Sequence, residues 1–340
     1  MPIISLEPRS IDSLTSEKTD QNRPWVWDGY LCPGDVTLLT SLWKTGKTTL
    51  LTGLLQHLAG DQPFLGRSVV PARALVVSEE SASQWAERIH TMPLGSHVQL
   101  LPRPFLGRPT MGEWQMLIDR AIDLRAAGNL DLFVVDPLAS FLPGRCESDA
   151  SSLIEALQPL HKLAATGVAI LLLHHPRKDA AVEGSIARGS GALLGFVDTS
   201  LELRRYSILK SDRNLRMLLG QSRRAKTPAR LAYEWNPTTG AFTNILDASG
   251  RQFEENWPTI LGILQVRHAA ITQKEVMSCW PTDAQRPCAT TLYYWLCHAF
   301  ELKRIRREGA GSSRSPWLYR LETANDAYFD RGELPPLRWK

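Results

Sequence analysis

The segment Val36–Leu50 passes from an apolar run through a short loop into an amphipathic stretch, and the loop reads Ser41-Leu42-Trp43-Lys44-Thr45-Gly46-Lys47-Thr48. Ser41-x-x-x-x-Gly46-Lys47-Thr48 is the phosphate-binding P-loop pattern, with serine where the first glycine usually stands. The chemistry asks for these residue types in this order. Backbone N–H groups of the loop and of the following helix N-terminus face a phosphate, Lys47 reaches the β- and γ-phosphates, and the Thr48 hydroxyl holds Mg²⁺. Gly46 lets the chain turn tightly beside a bulky anion. The nucleotide-contacting set is therefore Ser41, Lys44, Thr45, Gly46, Lys47, Thr48 and Thr49, with Lys44 a second cation inside the loop. Ser41 is less at ease than glycine at positive φ.

Three further strand ends carry matching chemistry. Leu130–Asp136 is a mostly apolar run closed by a carboxylate, so Asp136 and Thr48 form the expected metal pair for Mg²⁺ bound with ATP. Ala74–Glu80 places two carboxylates at another strand end, and Glu79, nearer the strand, is the expected base for the attacking water, with Glu80 beside it. The third run ends in His174-His175, where a polar group can contact the γ-phosphate and sense its loss. A zinc role for this pair lacks further ligands at useful spacing.

These residues need a sheet whose strands all end on one side. Strands are expected at Val36–Leu39, Ala74–Val77, Val98–Leu101, Leu130–Val135 and Val168–Leu173, alternating with helices at Thr48–Ala59, Ser83–Thr91, Met111–Ala127 and Ser151–Ala165. Apolar strands alternating with helices indicate a buried, mostly parallel α/β sheet, and ligands of such sheets bind at the carboxyl ends of the strands. After Asp198 the texture changes to shorter segments, Ser200–Arg204, Arg216–Leu219, Leu231–Trp235 and Ala241–Ile245, read as antiparallel strands extending the sheet.

At 340 residues there is room for one large domain and a smaller one, and 43% hydrophobic with 22% charged residues is the balance of an ordinary soluble chain. The net charge of +4 is too mild to name a partner. No stretch is long or apolar enough for a membrane span, and the polar N-terminus lacks a signal-peptide core, so a cytoplasmic protein is expected. The five cysteines form no C-x-x-C pair and read as buried structural residues. The chain divides into a flexible arm (1–24), an α/β domain (25–245), a linker (246–252), a compact module (253–321) and a loose tail (322–340).

The ordered motifs Pro33-Gly34-Asp35, Thr45-Gly46-Lys47-Thr48-Thr49, Pro63-Phe64-Leu65-Gly66, Val77-Ser78-Glu79-Glu80, Val134-Val135-Asp136-Pro137-Leu138, Leu173–Lys178 and Arg188–Ala192 resemble the RecA-like P-loop ATPases of the RepA-type hexameric helicase family. The resemblance covers residues 25–245. It implies ATP and Mg²⁺ as ligands, Glu79 as the water-activating glutamate with Glu80 its acidic neighbour, Asp136 as Walker B, and His174 or His175 as γ-phosphate sensor. It also implies DNA as partner and a homo-oligomer, a hexameric ring in that family. An arginine finger acting across subunits would be Arg224, in Ser222–Pro228, with Arg188, Arg204 and Arg205 as rivals. Arg177, Lys178 and Arg188 would line a central channel.

Beyond Phe253, three helical stretches (Trp257–Val266, Ile271–Met277, Thr290–Phe300) precede two short strands around a Gly/Ser turn, which resembles a winged helix-turn-helix. Residues 303–320 hold six Lys/Arg against one acid, Glu308, a footprint suited to DNA phosphates. The apolar Leu292–Leu296 stretch offers little to read bases, and winged helices also serve as protein-docking modules. Two activities follow: a DNA-acting ATPase of the helicase or translocase kind, or an ATP-gated DNA-binding regulator or loader that does not unwind processively.

Overall fold

The computed structural model describes residues 24–144, 150–175, 191–205, 214–267, 269–284, 286–311 and 315–321, together with Pro8, Ser10 and Ile11, apart from the side chains of 246–252, 290 and 301. Arg177, Lys178, Arg188, Cys146, Arg314, the tail 322–340 and nearly all of the arm 1–24 lie outside these residues. The chain divides into two units after Asn244.

In the first unit, runs of Val, Leu and Ile form strands β1 (Val36–Ser41), β2 (Ala74–Ser78), β3 (Val98–Pro102), β4 (Leu132–Asp136) and β5 (Ala169–His174). Helices α1 (Lys47–His57), α2 (Ala82–Thr91), α3 (Met111–Ala126), α4 (Leu138–Phe141), α5 (Ala150–Ala165) and α6 (Gly191–Phe196) connect them and lead to β6 (Thr199–Arg205). Strands β7 (Leu215–Ser222), β8 (Arg230–Trp235) and β9 (Phe242–Asn244) complete one sheet in the order β3-β2-β4-β5-β1-β6-β7-β8-β9. β3 to β6 in that order are all parallel, and β6 to β9 pair antiparallel. The parallel part thus carries the antiparallel extension read from the sequence.

Alternation along each strand serves two core layers. Leu39, Val76, Val134 and Leu171 pack against Leu50, Leu51, Leu54 and Leu55 of α1 and against Trp27, Tyr30 and Phe64. Leu38, Phe133, Val135, Ile170 and Leu172 pack on the other face against Trp114 and Ile118 of α3, Leu157 and Leu160 of α5, and Leu193 and Phe196 of α6. Helix starts are fixed locally. Ser81 and Thr110 each accept from the backbone of the residue three positions on, while Gln84 and Glu113 reach back to them, capping boxes worth about 1 kcal/mol each.

The second unit opens with α7 (Ile245–Arg267), so the stretch expected as a linker, 246–252, forms the opening turns of a helix. Its Ser and Gly suggest a linker one residue at a time. Continuity instead follows from the apolar positions Phe253, Ile260, Ile263 and Leu264, which recur along one helical face and enter the core. β10 (Ile271–Thr272) and α8 (Gln273–Ser278) divide what the sequence presents as one helix, with Thr272 capping α8. α9 (Ala289–Glu301) then leads to β11 (Ile305–Glu308) and β12 (Leu318–Leu321), in an antiparallel sheet ordered β10-β12-β11. Leu292, Trp295, Leu296 and Ala299 turn α9 toward this unit's own core. Of the described cysteines only Cys32 is buried; Cys288 is exposed, and Cys279 and Cys297 are half-buried. Cys288 caps α9, a position on the helix rim rather than in the core. Among the described residues no helix is long and apolar enough to cross a membrane.

Candidate active site

Because β1, β2, β4 and β5 are parallel, the P-loop, Glu79, Asp136 and His174 all leave the sheet at its carboxyl edge, with Thr40 opposite His174 and Ser78 opposite Asp136. β1 ends at Ser41 in extended strand, so the serine meets no left-handed backbone. The turn takes its positive φ at Lys44 (55°) and Gly46 (107°) instead. A Cβ on Gly46 would meet nothing nearer than 3.8 Å, so backbone conformation rather than crowding calls for glycine there.

Lys47 is 5% exposed and donates from Nζ to Ser41 Oγ at 2.9 Å and to His175 Nδ1 at 3.0 Å. Ser41 Oγ meanwhile donates to the Leu42 carbonyl at 2.8 Å, so one hydroxyl ties the loop to its lysine. Burial lowers the Lys47 pKa to about 8, against the raising pull of Asp136 and Glu79. For His175 Nδ1 to accept, the ring must be neutral with its proton on Nε2. Its pKa is lowered to about 4 by burial and then by Lys47. His174 is also lowered to about 4, by burial first and then by His175 and Lys47. Its buried Nδ1 has no partner among the described residues.

Thr48 Oγ1 donates to Asp136 Oδ2 at 2.8 Å. Asp136 is 5% exposed, and burial raises its pKa to about 6 despite the lowering effects of Thr48 and Lys47. A carboxylate so buried is stabilised by a cation, and a hydroxyl beside it completes a small set of hard oxygen donors. Among the described residues no three His, Cys, Asp or Glu side chains cluster as a metal cage. Mg²⁺ needs none, since it keeps waters and phosphate oxygens in its shell. Thr48 and Asp136 therefore fit the ion.

The two glutamates are held differently. Arg88 Nη2 donates to both oxygens of Glu80 at 2.7 Å, which engages that carboxylate in an ion pair. Glu79 remains exposed, receiving the Ser140 hydroxyl on Oε2 at 2.5 Å. Its main chain is pinned by a bond from Glu79 N to the Asp136 carbonyl at 3.0 Å and another from Arg103 Nε to the Glu79 carbonyl at 2.8 Å. A cavity of about 260 Å³ gathers Trp43 to Thr49 with Glu79, Glu80, Arg88, Asp136 and His175. Lys44 is exposed in its rim, its Nζ 4.2 Å from the ring of Trp43, itself 73% exposed. A larger cavity, about 390 Å³, lies where the strands begin, near Pro33, Pro71 and Gly167, remote from this chemistry.

Arg224 lies elsewhere. It forms a two-pronged pair at 2.9 and 2.7 Å with Asp35, the residue before β1 and hence at the opposite end of that strand from the P-loop. Arg204 is paired with Glu202. Arg205 and Arg216 face each other across β6 and β7 and donate to the P-loop carbonyls of Lys44 (3.3 Å) and Thr45 (2.6 Å). Ser140, Arg88, Arg103 and Arg216 are the site neighbours that sequence reading missed. Each arrives from a separate part of the chain and sits in no recognisable motif.

A family model described as the AAA domain matches residues 5–181, slightly more than half of the 340-residue chain. The chain belongs to the AAA domain family. Within this AAA protein the matched span includes the P-loop, both glutamates, Asp136 and the histidine pair, and membership makes it a P-loop ATPase of α/β fold. A crystal structure of the RadB recombinase aligns with a TM-score of 0.43 and 19% identity, over 63% of this chain and 91% of that one. No curated protein matches the AAA chain.

Proposed function

We propose that this AAA protein binds ATP with Mg²⁺ and hydrolyses it with a RecA-like core, and that turnover serves work on DNA. The observation that carries this reading is the convergence of Lys47, Thr48, Asp136, Glu79 and His175 on one strand edge around a single cavity. Phosphoryl transfer needs positioning and charge neutralisation more than covalent participation. Lys47 and the α1 N-terminus would bind and neutralise the phosphates. Glu79 would accept the proton of the attacking water, and His175, already bonded to Lys47, would register the γ-phosphate. Thr48 and Asp136 would hold Mg²⁺, which would supply charge neutralisation to the phosphates.

A homo-oligomer, a hexameric ring as in the RepA-type helicases, would bring an arginine finger to this edge from a neighbouring copy. Arg224 is the residue we assign, with Arg188, Arg204 and Arg205 as rivals. The C-terminal unit is read as a winged helix that contacts DNA, α9 being its reading helix and β11–β12 its wing. The alternative is an ATP-gated DNA-binding regulator or loader without processive unwinding, and for either reading several cations of this unit are engaged internally. Arg304 pairs with Glu254, Arg320 with Glu308, and Arg307 lies between Phe300 and Trp317 at 4.5 and 4.1 Å. Cations so engaged grip a duplex less than the charge count suggests.

Turnover of ATP with and without single- and double-stranded DNA, across protein concentration, tests the reading. DNA stimulation and a specific activity that rises with concentration support a DNA-acting oligomer with a finger in trans. Turnover indifferent to both removes the DNA and oligomer parts. Strand displacement on a forked substrate selects the motor over the regulator.

A further inference from the structure

An exposed glutamate at a strand exit has three side-chain torsions free to wander, yet a general base must stay within hydrogen-bond reach of its water. The backbone of Glu79 is pinned through Asp136 and Arg103. Its carboxylate is held by the Ser140 hydroxyl, which donates to Oε2 at 2.5 Å. The other oxygen, Oε1, is left to take the water's proton. Ser140 does not ride on a loose loop. It belongs to α4, the single turn that follows Asp136 through Pro137, and its neighbours Leu138 and Phe141 are buried in the core layer shared with Trp114 and Leu117. The turn that directly follows the strand ending in the metal-pair carboxylate thus carries the hydroxyl that aims the base.

The geometry points to Ser140 as a positioning residue that orients the Glu79 carboxylate for water activation, a role that rests on the ATPase reading above. In that step water oxygen bonds to the γ-phosphorus, the bond from phosphorus to the ADP oxygen breaks, and the water's proton passes to Glu79. Ser140 keeps its own proton throughout and touches no substrate. A displacement of about 1 Å at such a group can cost on the order of 10²-fold in rate.

The test compares purified full-length wild type with Ser140→Ala, Ser140→Thr, Glu79→Gln and the Glu79→Gln/Ser140→Ala double variant, reading ATP turnover and binding of a fluorescent ATP analogue. Ser140→Ala should lower kcat about 10- to 100-fold while analogue affinity stays within about two-fold. Ser140→Thr, which keeps the hydroxyl, should stay within about three-fold of wild-type kcat. In the Glu79→Gln background, Ser140→Ala should change residual turnover by less than about two-fold, because the hydroxyl acts through the carboxylate. Wild-type kcat in Ser140→Ala, an equal fold-loss in both backgrounds, or a Ser140→Thr loss as deep as that of alanine would each overturn the assignment. Normal turnover in Glu79→Gln alone would overturn the base itself, and the reading on which Ser140 rests.

Discussion

Glu79 and Glu80 are adjacent in sequence but differ in what they can do, because Arg88 engages both oxygens of one and a single hydroxyl holds the other. Glu79→Gln should therefore retain ATP binding and lose roughly 10²-fold or more in turnover, the span of general-base catalysis. Turnover and equilibrium binding on the two single variants check this, and a loss confined to Glu80→Gln would reverse the assignment. The histidines carry a pH dependence. With folded pKa values lowered to about 4 from an ordinary 6.5, the unfolded chain binds more protons between those limits. Their contribution is present above pH 6.5 and lost as pH falls toward 4. Asp136, raised to about 6, acts in the opposite sense over much of that window, so wild type alone does not isolate the pair. Urea melts at pH 7 and pH 5 should show wild type losing more stability than a His174→Asn/His175→Asn variant, and an equal loss would refute the buried neutral histidines. The P-loop residues could be read from sequence because they are contiguous. Ser140, Arg88 and Arg216 could not, since each reaches the site only after its own element has packed.

At the scale of elements, α1 has to lie close to the sheet to aim its N-terminus. A Cβ at Gly53 would stand 2.4 Å from the ring of Phe242 on β9, so this glycine permits the approach of the phosphate-binding helix. Gly53→Ala, normally favourable in a helix, should here destabilise by about 1–3 kcal/mol through overpacking. Addition of Phe242→Leu should recover much of that loss in chemical denaturation, and a stabilised single variant would show that the helix has room. Strands β1 to β5 are long apolar runs whose length and bounding turns are visible in the sequence, whereas their order in the sheet is a property of the packed chain. The one-turn α4, the short α6 and the opening of α7 were not visible. A single turn leaves no periodicity to detect, and the opening of α7 is rich in residues that favour loops when taken alone.

For the whole molecule, the fold class was legible because alternation of apolar strands and helices admits few arrangements, whereas the disposition of charge was not. Six cations counted along residues 303–320 suggest a strong phosphate grip, yet Arg304 and Arg320 are paired with acids and Arg307 is stacked between rings. DNA affinity of the protein should accordingly fall with salt along a shallow line, each neutralised phosphate adding about −0.9 to the log–log slope, so that a slope nearer −2 than −6 is expected. Fluorescence anisotropy across salt concentrations measures it, and a slope near −6 would mean that the internal pairs open on binding. The central claim is that the edge built around Lys47 is an ATPase site. Mg²⁺-dependent ATP hydrolysis by purified wild type and Lys47→Ala tests it most directly: hydrolysis by wild type that is lost in Lys47→Ala is the predicted result, and equal hydrolysis by both proteins would contradict it.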